Sequence, residues 1–252
     1  MQIMAKFEIG DGNFDIEVGV DPDYEALEMK VGSYINAEGK VVRDAADAVG
    51  IVFKMEAIGS DVPANYPVAL QGKTIAGYAV AIENVVVGRQ TLNNEAISSL
   101  VTTDATVTNG TQATDALLTG IGEVAFMTTY NSWVNEHPLD GESLSSWYIP
   151  TVDQLGEFMG MLFKIGEVEP TGGQAFREMP EFAFENGVMF DRDPIESVYY
   201  ASCTVNGSKD ISGVIINVDK TTKQVLDAKA SSLKVTGSSQ KALCRPMITI
   251  FK

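Results

Sequence analysis

The segment from Ser145 to Gly166, SSWYIPTVDQLGEFMGMLFKIG, constrains the fold more than any other part of the chain. Thr151 and Gln154 have the spacing of a capping box: the threonine hydroxyl takes the amide of residue 154, and the glutamine side chain reaches back to the amide of residue 151. Pro150, just before the cap, keeps the preceding chain extended. Leu155, Phe158, Met159, Leu162 and Phe163 then recur at helical spacing and form one apolar face. Gly166 supplies a stop. The polar positions are Asp153, Glu157 and Lys164, which carry no evident chemistry. The spacing therefore predicts a surface helix packed on a sheet, a frame element.

Both flanks of this segment read as β. Residues 1–30 alternate loosely at Phe7, Ile9, Phe14, Ile16, Val18 and Val20, with a turn at Gly10–Asn13. They are read as an N-terminal arm, and residues 31–252 as one domain. Within it, Lys40–Arg43, Gly50–Met55, Thr74–Ile82 and Asn84–Val87 are β-branched and apolar, separated by turn residues. The polar stretch Thr91–Thr114 reads as a loop. A helix is expected over about Thr114–Val134, with Leu117, Ile121, Val124, Ala125 and Thr128 on one side and Gly120 and Gly122 weakening it. Glu167–Glu196 reads as irregular. Val198–Val205, Gly213–Val218, Val225–Ala230 and Ala242–Phe251 read as strands, with turns at Asn206-Gly207 and Asp219–Lys223. Segregated strands, helices and strands predict an α+β fold.

Composition narrows the function. A chain of 252 residues buries a core without staples. Its net charge of −16 repels phosphate backbones and anionic membranes, so neither nucleic acid nor membrane is an expected partner. The N-terminus has no basic segment followed by an apolar run, so no signal peptide is expected. Two cysteines, Cys203 and Cys244, are too few for a disulfide scaffold or a thiolate metal cage; one bridge or two free thiols both fit the count.

Candidate chemistry is sparse. The single histidine, His137, sits in Asn135-Glu136-His137-Pro138 and reads as an exposed loop residue. Asp11, Asn13 and Asp15 copy half of a calcium loop, but Ile16 and Pro22 occupy the positions that need Gly and Glu. Asp191-Arg192-Asp193 is one acidic doublet among 34 acids. Asn109-Gly-Thr111 and Asn206-Gly-Ser208 match glycosylation sequons and read as turns. No dinucleotide or phosphate-loop motif is present. The expectation is no catalytic residue, no metal and no cofactor.

Four segments in order resemble one family. Val31–Lys40 followed by Ala48–Phe53 resembles the opening of lectin-like domains common in gut anaerobes. Trp147-Tyr-Ile-Pro-Thr-Val-Asp-Gln-Leu is similar to their W-[YR]-L-P-[ST]-x-x-E-L signature. Tyr199-Tyr-Ala-Ser-Cys-Thr resembles the Y-W-[ST]-S-[ST] strand, and Leu243–Phe251 the closing V-R-[PA]-V-[RL]-x-F strand. This is the Lcl-type branch of the C-type lectin-like fold, which includes the variable tropism proteins of phage tails. The resemblance covers roughly residues 31–252. It departs at Tyr200, where Trp is usual, and at Gln154, where Glu is usual.

The resemblance implies two helices packed on antiparallel sheets, with the β-rich arm added in front. It places ligand contact on loops of the C-terminal strands, between Asn206 and Lys223 and over Ser231–Gln240. The candidate contact residues are Asn206, Lys209, Asp210, Lys220, Thr222 and Lys223. Three of these lysines, with Lys229, form a less acidic patch suited to an acidic glycan or an acidic neighbour. The calcium motifs of sugar-binding lectins do not occur. Cys203 and Cys244 lie among apolar neighbours and read as core thiols, unlike the reactive cysteines of formylglycine-generating enzymes on the same fold. The implied function is non-enzymatic: a head or tail fibre or decoration subunit of a phage virion. Its expected partners are other virion proteins, further copies of itself, and a host-surface glycan or protein. The alternative is an adhesin module of a bacterial surface or pilus, and an enzyme on the same fold stands third.

Overall fold

The computed structural model describes residues 3–10, 13–20, 27–86, 109–121, 125–162, 188–192, 195–205, 211–219, 221, 225–233 and 243–252. In chain order the strands and helices are β1 (Ile3–Gly10), β2 (Asn13–Val20), β3 (Tyr34–Ile35), β4 (Val41–Val42), β5 (Gly50–Lys54), α1 (Val68–Gln71), β6 (Ile75–Ala81) and β7 (Val85–Val86). Then come α2 (Gly110–Ile121), α3 (Ala125–Glu136), α4 (Val152–Leu162), β8 (Val188–Arg192), β9 (Ile195–Val205), β10 (Ile211–Asp219), β11 (Val225–Leu233), β12 (Leu243–Cys244) and β13 (Met247–Phe251). The fold is α+β.

The N-terminal alternation forms an antiparallel hairpin that is a sheet of its own. Its register opposes Ile3 to Val20, Ala5 to Val18, Phe7 to Ile16 and Ile9 to Phe14. Opposed residues share a face, so one face collects these eight apolar residues. Asn13 and Asp15, two of the three residues of the calcium-loop likeness, are ladder positions. Met29 packs against the core, and the Ser33 amide closes a turn on the Lys30 carbonyl at 3.0 Å.

Five antiparallel strands form one sheet, ordered β13-β6-β5-β3-β4. The other large sheet runs β11-β10-β9-β12-β7, with β8 also on β9. Its β12–β9 pair is parallel, a departure from the purely antiparallel expectation. The strand expected over 242–251 is split at Arg245-Pro246, so that β12 and β13 join different sheets. Pro246 has no amide to donate, but its carbonyl takes the Ala81 amide at 2.9 Å. Every residue of β6 is buried, with Ala79 and Ala81 in one apolar cluster and Tyr78 and Val80 in the other. The five-stranded sheet is thus covered on both faces.

The capping box forms as the spacing predicts. Thr151 N donates to Gln154 Oε1 at 3.1 Å, and Gln154 N donates to Thr151 Oγ1 at 3.2 Å. Phe158 meets Phe53 of β5 edge-on at 5.3 Å, fixing α4 on the sheet. Burying such a ring contributes about 2–3 kcal/mol.

Three expectations change. The helix expected over 114–134 is two helices, α2 and α3, and α2 starts earlier. Asn109 caps it, its Oδ1 taking the Gln112 amide at 2.9 Å, so the end of the polar loop is helical. On α3 the buried side chains include Tyr130 and Trp133, whereas Thr128 is exposed. The close of the irregular stretch is β, because Asp191 and Arg192 pair with Glu196 and Ile195 in a tight hairpin. Polar turn residues hid that strand. Residues 91–108 and 167–187 lie outside the described residues.

Candidate functional site

Asp61 and Arg245 are the buried charged side chains among the described residues. The Asp61 amide donates to the Ile58 carbonyl at 3.1 Å, in a turn where Gly59 has φ +57°. That left-handed backbone favours glycine. The turn delivers the carboxylate into the core, 3% exposed. Oδ2 accepts from Tyr66 Oη at 2.6 Å and from Tyr78 Oη at 2.7 Å, and Oδ1 accepts from Asn109 Nδ2 at 2.9 Å. Tyr78 Oη in turn takes the Ile58 amide at 3.2 Å.

Counting protons sets the direction of the bonds beyond Asp61. Tyr66 spends its only hydroxyl proton on Asp61, so Thr249 Oγ1 donates to Tyr66 Oη across 2.8 Å. Thr249 then has none left, so Tyr148 Oη donates to Thr249 Oγ1 across 3.1 Å. Gln154 Nε2 completes the chain, donating to Tyr148 Oη at 3.2 Å. One oriented chain therefore runs from the capping box of α4, through Tyr148, Thr249 of β13 and Tyr66, to Asp61. With Asn109, the cap of α2, also on Asp61, it ties two helices, a loop and the five-stranded sheet together.

Burial raises the Asp61 carboxyl above the usual carboxylate range, against the pull of Tyr66, Tyr78, Asn109 and the Val62 amide, which all favour the charged form. Burial foremost also pushes the phenols of Tyr66, Tyr78 and Tyr148 upward, so they stay protonated donors. Such a constellation holds the carboxyl group in place. Its carboxylate oxygens are occupied by donors, and it functions as a rigid hub.

Gln154, and not a glutamate, closes the capping box, and the network explains the choice. A glutamate keeps the cap but presents an acceptor to Tyr148 in a site with 0% exposure. Gln154→Glu is therefore expected to cost about 2 kcal/mol at neutral pH. Thermal denaturation checks this, and equal melting temperatures would refute the proton order.

A second polar group lies at the rim. His137 stacks on Trp133 at 4.3 Å, with Nδ1 at 2.8 Å from the Trp133 carbonyl and Nε2 at 2.8 Å from Glu83 Oε1. Trp133 Nε1 donates to the same Glu83 oxygen at 2.8 Å, and Trp147 Nε1 donates to the His137 carbonyl at 2.8 Å. The exposed-loop reading of His137 is therefore corrected: the ring is half-buried and packed at the end of α3. The reason is the stacking surface offered by Trp133, one helical turn earlier.

The sequon at Asn109 is corrected as well. Its amide nitrogen is committed to Asp61 and the residue is 1% exposed, so it is an internal cap and no turn. Cys203 on β9 and Cys244 on β12 are both free and buried, and burial pushes both thiols upward. Arg245 is buried between the sheets and donates to the Ala81 carbonyl at 2.9 Å. Among the described residues, no group of three His, Cys, Asp or Glu side chains is placed to hold a metal, and no helix is long and apolar enough to cross a membrane.

All six predicted contact residues, Asn206, Lys209, Asp210, Lys220, Thr222 and Lys223, lie outside the described residues, as does the Asn206 sequon. Of their surroundings, the strand ends are described. Asn206, Lys209 and Asp210 join β9 to the start of β10, and Lys220, Thr222 and Lys223 join its end to β11. These two ends of β10 are separated by roughly 25–30 Å. The amide of Thr221 donates to Asp219 Oδ1 at 2.8 Å, which starts the second turn.

The residue that sequence reasoning missed is Asp61. It is one acid among 34, and its tyrosines lie 5 and 17 positions away with no motif spacing. Comparison with protein-family models, curated proteins and solved structures gives no match for this chain.

Proposed function

We propose that this chain is a non-enzymatic, lectin-like structural and binding subunit of a phage virion, attached to its neighbours through the hairpin β1–β2. One observation carries the reading. The hairpin puts eight apolar residues on one face, and among the described residues it pairs with neither large sheet. A lone two-stranded ribbon is marginal in water, so such a face calls for a surface to dock on. The domain supports the non-enzymatic part. Its carboxylate hub, its thiols and its histidine are all engaged in packing. Contact with the host surface then falls to loops outside this frame, as the lectin-like resemblance implies.

Removal of residues 1–26 should leave a domain that melts within a few degrees of the full chain but no longer enters assemblies. Particle reconstitution followed by light scattering reads the second effect. A large fall in melting temperature would show that the hairpin covers the chain's own core, and the attachment reading would fail. Capsid, portal and tail genes beside this one would favour the virion; export and pilus genes would favour a surface adhesin.

A further inference from the structure

We propose that two copies of this chain pair through β11, edge to edge and antiparallel, about a two-fold axis at Ala228. This pairing stands apart from the attachment role of the hairpin. β11 ends its sheet and, among the described residues, pairs with β10 alone. It is nine residues long. The other ends of the two large sheets are β4 and β7, two residues each, β8, five residues, and β13, which is bridged by Leu144 and Tyr148. A long terminal strand offers a row of amides and carbonyls to another chain.

Charge selects both the partner and the register. A two-fold axis normal to a sheet keeps every residue on its own face, so the axis must pass at a residue and not between two. At Ala228 it opposes Asp227 to Lys229 of the second copy, and Lys229 to Asp227, while Leu226 meets Ala230. At Asp227 or at Lys229 it opposes like charges. One axis position therefore gives two complementary pairs and its neighbours give repulsion. Within the chain, Asp227 registers with Asn217 and Lys229 with Ile215, both half-buried positions. Ala228 and Ala230 register with the buried Ile216 and Val214. Asp227 and Lys229 thus share the sheet face of Asn217 and Ile215, opposite that of Ile216 and Val214. A net charge of −16 opposes unspecific self-association, whereas β11, with one acid and one base, is locally neutral.

Sedimentation of the full chain over a dilution series should show a monomer–dimer equilibrium that weakens with added salt. Lys229→Asp and Asp227→Lys should each raise the dissociation constant about tenfold or more. Mixed in equal amounts, the two variants restore opposite charges at both positions and should form a heterodimer near wild-type affinity. A wild type that stays monomeric, single variants that dimerise normally, or a mixture that stays monomeric would each overturn the proposal. If a variant fails to fold, amide exchange on the wild type decides. Exchange over residues 225–231 should slow as concentration rises, and concentration-independent exchange there overturns the pairing.

Discussion

Asp61→Asn is expected to lower stability by about 3 kcal/mol at neutral pH, which for a chain of this size lowers the melting temperature by about 6–12 °C. The carboxylate accepts from Tyr66, Tyr78 and Asn109, with donors on both oxygens. An amide offers one acceptor and turns a donor toward the others. Asn109 cannot simply flip to suit it, because its own oxygen caps Gln112. Tyr66→Phe removes one donor and should cost less, about 1–1.5 kcal/mol. The two changes share a network, so the double variant should lose less than both effects combined.

The pH dependence has a definite sign. Burial holds the Asp61 carboxyl above its usual range, so ionisation is what the fold resists. The stability contributed by this group is complete below the pKa of the unfolded chain and is lost as pH rises through the folded value. Asp61→Asn has no such titration. The stability gap between the two proteins should therefore be widest in acid and narrow toward neutrality. Denaturant melts across that range read the gap directly, and a gap that widens with pH would reverse the assignment.

What the sequence made legible follows from the range of the interactions involved. The α4 cap is written in residues three apart, Thr151 and Gln154, and it forms as read. The hairpin is equally local: alternation plus a Gly–Asn turn yields the register of β1 and β2. The strands near Gly50, Thr74 and Val198 follow from β-branched runs bounded by turns. The failures are places where a distant partner decides. Asn109 looks like part of a polar loop until Asp61, 48 positions earlier, takes its amide. His137 looks like a loop histidine until Glu83 and Trp133 hold its ring. Val188–Arg192 looks irregular until β9 pairs with it. Arg245-Pro246 reads as the middle of a strand, and only the presence of two sheets makes it a corner. Asp61 had no local signal at all. Its partners come from a loop, β6 and the start of α2, and a buried carboxylate is recognised by those partners alone.

The same network fixes the sign of a substitution that local rules predict wrongly. Gly110→Ala at the start of α2 should gain about 1 kcal/mol on helix propensity. Here it is expected to destabilise by about 2–3 kcal/mol instead. A Cβ on Gly110 would lie 2.4 Å from Tyr148 Cδ2, 2.6 Å from Cε2 and 2.7 Å from Gln154 Oε1. Neither neighbour is free to move away. Tyr148 is fully buried, its backbone pairs with Met247 at 2.9 Å in both directions, and its hydroxyl sits between Gln154 and Thr249. Gln154 Oε1 holds the Thr151 amide. Gly156→Ala supplies the control: it lies on the exposed side of α4, where a Cβ meets nothing within 4 Å, and should gain about 1 kcal/mol. Thermal melts of the two variants should thus move in opposite directions. If Gly110→Ala matches or exceeds the wild type, the Tyr148 ring yields easily, and the chain from Gln154 to Asp61 is not the rigid frame its geometry implies.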